Sequence, residues 1–265
     1  MRKKMICLIA LLLISVLSFS GATYAGFTKQ YNPWIDKLNF TVATQEYMMI
    51  SKTGEKGTFK DNIEFSELIT THVTLTAVDA VVTENSISFN KNGVVAPTDS
   101  YIKFSLYFSG SNDMNIYLRP ASDVAIERNL SVTNALFTEE QIRKAVDSIR
   151  IGFLAYSTRE TVVGSGIIEN EYDPIKTNIY SENQKNDESY SGIKPYDTFY
   201  KMQLGYTDNG LDDEFALLSA QANKVSKLDI FIWLENQDLS ASESLFNIAL
   251  SINLRFLAVN VESGE

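Results

Sequence analysis

Two runs decide the fold class: Leu228-Asp-Ile-Phe-Ile-Trp-Leu-Glu235 and, after a polar link at 236–244, Leu245-Phe-Asn-Ile-Ala-Leu-Ser-Ile-Asn-Leu-Arg-Phe256. In the second run Phe246, Ile248, Leu250, Ile252, Leu254 and Phe256 share one parity, while Asn247, Ala249, Ser251, Asn253 and Arg255 share the other. Side chains alternate faces along a strand, so this pattern specifies a strand with one dry and one wet face. The first run is apolar on both parities, with Leu228, Ile230, Ile232 and Leu234 against Phe231 and Trp233. That composition suits a strand covered on both faces. Together the two runs read as a hairpin at the centre of a sheet, against which Tyr101–Ser109 and Arg150–Tyr156 are expected to pack.

Outward from this pair, parity recurs along the chain. Leu38, Phe40 and Val42 alternate, as do Val73, Leu75 and Ala77 within Thr71–Val78, and Ile102, Phe104, Leu106 and Phe108 within Tyr101–Ser109. Short strands are also expected at Glu46–Ser51 and Ser86–Phe89, the latter closed by Asn90-Lys-Asn-Gly93. Thr53-Gly-Glu-Lys-Gly57 is a turn by its glycines. Gly110-Ser-Asn-Asp113, followed by Met114, Ile116 and Leu118, reads as the turn and return of a hairpin. One helix interrupts the strands. Thr138 and Gln141 have capping-box spacing, and Ile142, Ala145, Val146 and Ile149 form a single stripe. Residues 157–197 are polar and lack a clean dry face, which points to a loop excursion. No internal repeat of fixed period is found. The expected architecture is mainly β: an antiparallel, jelly-roll-like β-sandwich with one amphipathic helix at about 138–149 plugging an open end or face.

The first 25 residues have the form of an export signal. Arg2, Lys3 and Lys4 precede the apolar stretch Met5–Leu17, and Thr23-Tyr-Ala25 offers a cleavage site between Ala25 and Gly26. The apolar stretch is short for a membrane span, which takes about 20 residues. The expected product is a single secreted domain, 26–265, with membrane contact only through the uncleaved leader. Removing the three basic residues takes the formal charge from −10 to −13 and removes the lone Cys7, so the remaining chain has no disulfides. An acidic chain with one histidine is a poor partner for nucleic acid or anionic lipid.

The inventory of chemistry is thin. His72 stands alone in a threonine-rich strand, no His-Glu-x-x-His occurs, and Gly164-Ser-Gly166 lacks the spacing of a nucleophile elbow. No carboxylate pair stands out for glycoside hydrolysis. No catalytic residues are expected. Asp208, Asp212, Asp213 and Glu214 form an acidic cluster that could hold calcium, although the spacing is not that of an EF-hand. Trp34, Trp233, Tyr172, Tyr180, Tyr190, Tyr196, Tyr200 and Tyr206 could serve as sugar platforms, with core the simpler role for Trp233.

Two further stretches carry a resemblance. Gly21-Ala-Thr-Tyr-Ala-Gly-Phe-Thr28 resembles the end of leaders cut by the dedicated, SipW-type signal peptidase of Gram-positive matrix proteins, where Thr-aromatic-Ala precedes a residue and then Phe. Ile232-Trp-Leu-Glu-Asn-Gln-Asp238 is similar to the Ile-Trp-Leu-Glu-Gly-x-Asp stretch of secreted Firmicutes proteins with such leaders, with Asn236 in place of the usual glycine. Ser148-Ile-Arg-Ile-Gly-Phe153 shares the look. The resemblance, to TasA/camelysin-like biofilm matrix proteins, covers about a fifth of the chain. It implies a jelly-roll sandwich and an extracellular structural role at the cell surface or in the matrix. Self-association into fibres is the expected assembly, and its physical route would be strand addition, with the freed N-terminal segment Gly26–Phe40 completing a neighbour's sheet. The alternative is a calcium- or carbohydrate-binding module on the same sandwich.

Overall fold

The computed structural model describes residues 34–44, 48–60, 62–64, 73–118, 125–128, 138–163, 167–181, 216–235 and 249–261. In chain order its strands are β1 (Trp34–Thr44), β2 (Met48–Ser51), β3 (Asn62–Glu64), β4 (Val73–Thr74), β5 (Ala77–Thr83), β6 (Ser86–Lys91), β7 (Val94–Val95), β8 (Ile102–Gly110), β9 (Met114–Leu118) and β10 (Ala125–Arg128). The helix α1 (Glu139–Asp147) follows, and then β11 (Ile149–Val163), β12 (Ile167–Tyr180), β13 (Leu218–Ala220), β14 (Val225–Glu235) and β15 (Ala249–Asn260). The protein is mainly β, as its parity pattern requires.

The strands form two sheets. Sheet A runs β13-β9-β15-β1-β3, with β10 also on β15 and β4 on β1. Sheet B is centred on β14, which has β11 and then β12 on one edge and β8 and then β2 on the other. At the end of β14, β5 joins through Leu234↔Ala77 and Glu235↔Val78 and continues into β6 and β7. Pairing is largely antiparallel, but β1–β15 and β5–β14 are parallel, so both sheets are mixed. A jelly-roll path is a narrower statement, and several of the connections it would need lie outside the described residues.

The main core lies between the sheets. From β14 it takes Leu228, Ile230, Ile232 and Leu234; from β15 it takes Leu250, Ile252, Leu254 and Phe256. The parity of both runs is thus realised, and Tyr101–Ser109 and Arg150–Tyr156 do pair with β14. The expected hairpin is corrected: β14 lies in sheet B and β15 in sheet A. The same correction applies at Gly110–Asp113. Here β8 stays in sheet B, whereas β9 enters sheet A with all five residues buried. The turn is bonded instead to the β13–β14 turn and to the residue after β15. Asn223 N–H donates to the Gly110 carbonyl (2.8 Å), Ala222 N–H to Asp113 Oδ1 (2.7 Å) and Val261 N–H to the Asp113 carbonyl (3.0 Å). Thr71–Val78 likewise divides, with β4 in sheet A, β5 in sheet B and fully buried Leu75 at the crossing.

The helix begins directly after Thr138, with Ile142 N–H donating to the Thr138 carbonyl (3.1 Å). It sends Ala145 into the main core, with Val146 packed against it. It ends at Asp147, two residues short of expectation. Ser148 Oγ donates to the Lys144 carbonyl (2.7 Å) and Arg150 Nη1 to the Asp147 carbonyl (2.7 Å), so side chains satisfy the last turn. Ile149 then starts β11 opposite Leu234.

The polar excursion expected at 157–197 is corrected in its first half. Residues 157–163 and 167–180 belong to β11 and β12, which pair from Val163↔Ile167 to Ile151↔Tyr180. Because β14 accompanies β11 only from Ile149 to Tyr156, the outer part pairs as a two-stranded ribbon. Its sequence is mostly polar on both parities, from Ser157 to Thr161 and from Glu169 to Asp173, so no single face reads as dry. Residues 182–197 lie outside the described ones.

A second, smaller core covers part of the outer face of sheet B. Strands β5, β6 and β7 fold over it as a flap, placing Phe89 against Tyr101 (ring centroids 4.2 Å), Trp233 (5.3 Å) and Phe231 (6.0 Å). Gly152 makes the close approach possible: a Cβ there would lie 2.6 Å from Ile87 Cδ1 and 3.0 Å from the Trp233 ring. Gly152→Ala is therefore expected to cost about 1–2 kcal/mol by overpacking. Adding Ile87→Val should recover part of that loss in chemical denaturation. An unchanged stability for Gly152→Ala would mean that the flap does not sit this tightly.

Candidate functional site

Beside the flap, the outer face of sheet B carries a charged and aromatic cluster built around Asp229 of β14. The register brings its parts together. Ser105 of β8 lies opposite Asp229, Tyr156 of β11 lies opposite Lys227, and Lys227 and Lys103 project on the same face. Asp229 is only 1 % exposed. It accepts hydrogen bonds from Ser105 Oγ (2.6 Å) and Tyr156 OH (2.8 Å) and pairs with Lys227 Nζ (3.2 Å) and Lys103 Nζ (3.4 Å). Each ammonium also covers a ring: Lys227 lies 4.2 Å from the Tyr156 centroid and Lys103 5.1 Å from Phe231. Tyr172 of β12 completes the rim, edge-on to Tyr107 at 6.0 Å. Tyr107 is itself closed off from behind by Gly54, whose positive φ of 73° lets the 51–58 turn lie against the ring.

The electrostatics follow from these contacts. Burial pushes the Asp229 carboxyl up, but the two hydroxyls and two ammoniums more than reverse this, leaving it below the ordinary carboxylate range. Burial, then the bond to Asp229, raises the Tyr156 phenol well above its usual value, so it remains a neutral donor. Tyr172 is raised by burial and by Tyr107. The carboxylate is ionised and fully coordinated, and the phenol is a poor nucleophile. The arrangement clamps β8, β11 and β14 together.

A second feature of interest is the seat of β1. It lies inside sheet A, parallel to β15 from Trp34↔Ala249 to Thr44↔Ala258, with β3 and β4 on its other edge. The earliest described strand is thus main-chain bonded to the latest.

Most sequence candidates fall elsewhere. The cleavage pair Ala25 and Gly26, the acidic residues Asp208, Asp212, Asp213 and Glu214, and His72 all lie outside the described residues. Tyr190, Tyr196, Tyr200 and Tyr206 do too. Of the possible sugar platforms, Trp233 is a core residue whose indole donates to Glu235 Oε2 (3.0 Å), Tyr180 is buried in the main core, and Tyr172 joins the Asp229 cluster. Sequence reading missed that cluster. Its one signal is Asp229 itself, a charge set inside an apolar run on the parity of Phe231 and Trp233. Among the described residues no group of three or more metal-ligating side chains occurs, and no helix is long and apolar enough to cross a membrane. No protein-family model, no curated protein and no solved structure matches the chain.

Proposed function

We propose that the chain is an exported, non-catalytic structural protein of the cell surface or extracellular matrix, which assembles by exchanging its first strand between copies. The observation that supports this reading is the seat of β1. Its pairing with β15 is parallel, and nearly the whole described chain lies between the two strands. Taking β1 away leaves a slot with main-chain groups on both sides, from β15 and from β3 and β4. An empty slot of this kind accepts an identical strand from another molecule by β-augmentation, and a head-to-tail contact that does not close grows into a filament. The leader-like 1–25 segment is consistent with export, and its removal would free the segment ahead of β1.

Paired cysteines test the exchange. Asn39 and Asn253 are register partners across β1 and β15, and Cys7 is lost with the leader. In the chain Gly26–Glu265 carrying Asn39→Cys and Asn253→Cys, oxidation of the monomer should lock β1 in place and stop fibre growth, with reductant restoring it. Oxidation after assembly should give a covalent ladder on non-reducing gels. If the unmodified chain forms no fibres by negative-stain microscopy at any pH or calcium level, or if fibres contain only intramolecular cross-links, the reading is wrong.

A further inference from the structure

We propose that Asn92–Gly93 is a site of spontaneous deamidation whose product loosens the flap over Trp233. These two residues form the exposed two-residue turn between β6 and β7, and both have positive φ, 53° and 78°. Such a turn suits the twist of a hairpin and favours Asn-Gly. The same dipeptide is chemically vulnerable. Glycine has no Cβ to shield its amide nitrogen, and nothing lies within 4 Å of where a Cβ on Gly93 would be. The Gly93 nitrogen attacks the side-chain carbonyl carbon of Asn92, a C–N bond forms, and ammonia leaves. Water then opens the cyclic imide at either carbonyl, giving aspartate or isoaspartate, with no redox partner required.

The flap is placed to permit this and to register it. An ordered turn resists the rotation that the attack needs, but β7 is only two residues long, held by Lys91↔Val94 and Asn90↔Val95. Its valines are 66 % and 83 % exposed, so little burial opposes fraying at the tip. An isoaspartate inserts one extra main-chain carbon into a turn whose length sets the register. The pairing that fails first is the one nearest the turn, and the next bond along is Ala96 N–H to the Phe89 carbonyl (2.9 Å). Phe89 is the residue that caps Tyr101 and Trp233. A chemical event at the exposed tip is thereby coupled to the cover of the second core.

The experiment incubates the chain Gly26–Glu265 at mildly alkaline pH and follows it by peptide mapping that separates aspartate from isoaspartate. Hydrogen exchange over β5–β7 and Trp fluorescence are measured in parallel. Asn209–Gly210 is the other Asn-Gly pair and serves as a comparator within the same sample. Expected is conversion at Asn92, mainly to isoaspartate, with exchange of the Ala96 amide about tenfold faster or more in the converted molecules. Asn92→Gly, which keeps a turn of the same kind, should show neither change. An intact Asn92 in a sample where Asn209 has converted overturns the site. Conversion without faster exchange at Ala96, or equal loss of protection in Asn92→Gly, overturns the coupling.

Discussion

Replacing Asp229 by leucine is expected to lower the unfolding free energy by about 3 kcal/mol, with both lysines and both hydroxyls still in place. The side chain is buried and receives two hydroxyl donors, from Ser105 and Tyr156, each of which would be left without its acceptor. The ion pairs contribute less than their number suggests, because Lys103 is 49 % exposed and water screens it, whereas Lys227 at 18 % is screened less. Asp229→Asn should lose a smaller amount, since one oxygen remains to accept. The pH dependence has a definite sign. A carboxyl whose folded pKa is depressed contributes stability above its unfolded pKa and loses that contribution as pH falls through the folded value. The wild-type advantage over Asp229→Leu should therefore be level near neutrality and shrink only on strong acidification, below the ordinary carboxylate value of 3.8. An advantage that disappears between neutrality and mild acid would mean that Asp229 is not held as these contacts require. Denaturant melts at several pH values decide it.

The second large effect is expected at Phe256. This ring lies fully buried between the sheets and meets Phe108 and Phe153 edge-to-face, at 5.7 and 6.5 Å. Its strand is the shared neighbour of β1, β9 and β10, with Phe256 opposite both Val42 and Leu118. Phe256→Ala removes a large apolar volume where β1 and β9 hold the backbone from both sides, so the void cannot close; the expected cost is about 4 kcal/mol. For a chain of this size that is a fall in melting temperature of about 10 °C. Phe256→Leu should cost about 1.5 kcal/mol or less, since most of the volume is kept. A small effect of the alanine variant would show that the two sheets do not enclose this ring.

Particular residues show how far the sequence reaches. The alternation through Leu250, Ile252, Leu254 and Phe256 names the buried face of β15 correctly, and the two-sided run at Leu228–Leu234 correctly marks β14 as covered on both faces. Parity describes a strand's faces but carries nothing about its neighbours. Gly110–Asp113 therefore looks like a hairpin turn, although its carbonyl and carboxylate are spoken for by Asn223 and Ala222, more than a hundred residues away. The outer ribbon of β11 and β12 escapes the pattern for another reason, since its sequence is mostly polar on both parities from Ser157 to Thr161 and from Glu169 to Asp173. The Asp229 cluster assembles residues from three strands, and only the placement of one charge in an apolar run hints at it. The Asn-Gly turn at 92–93 was legible directly, because its conformation is a property of the dipeptide.

Strands that are neighbours in sequence here repeatedly enter opposite sheets, from β4 to β5, β8 to β9, β12 to β13, and β14 to β15. Neither sheet can consequently be completed early. Sheet A has no middle until residues 249–260 arrive, because β15 is what joins β1 to β9 and β10. A chain emerging in order from its first residue would form local pairs such as β5–β6 and β11–β12 early, but both sheets would lack their central strands, β14 and β15, until nearly the end. Long-range pairing of this kind is slow to form, and the nascent molecule stays pliable for longer than a meander of the same length.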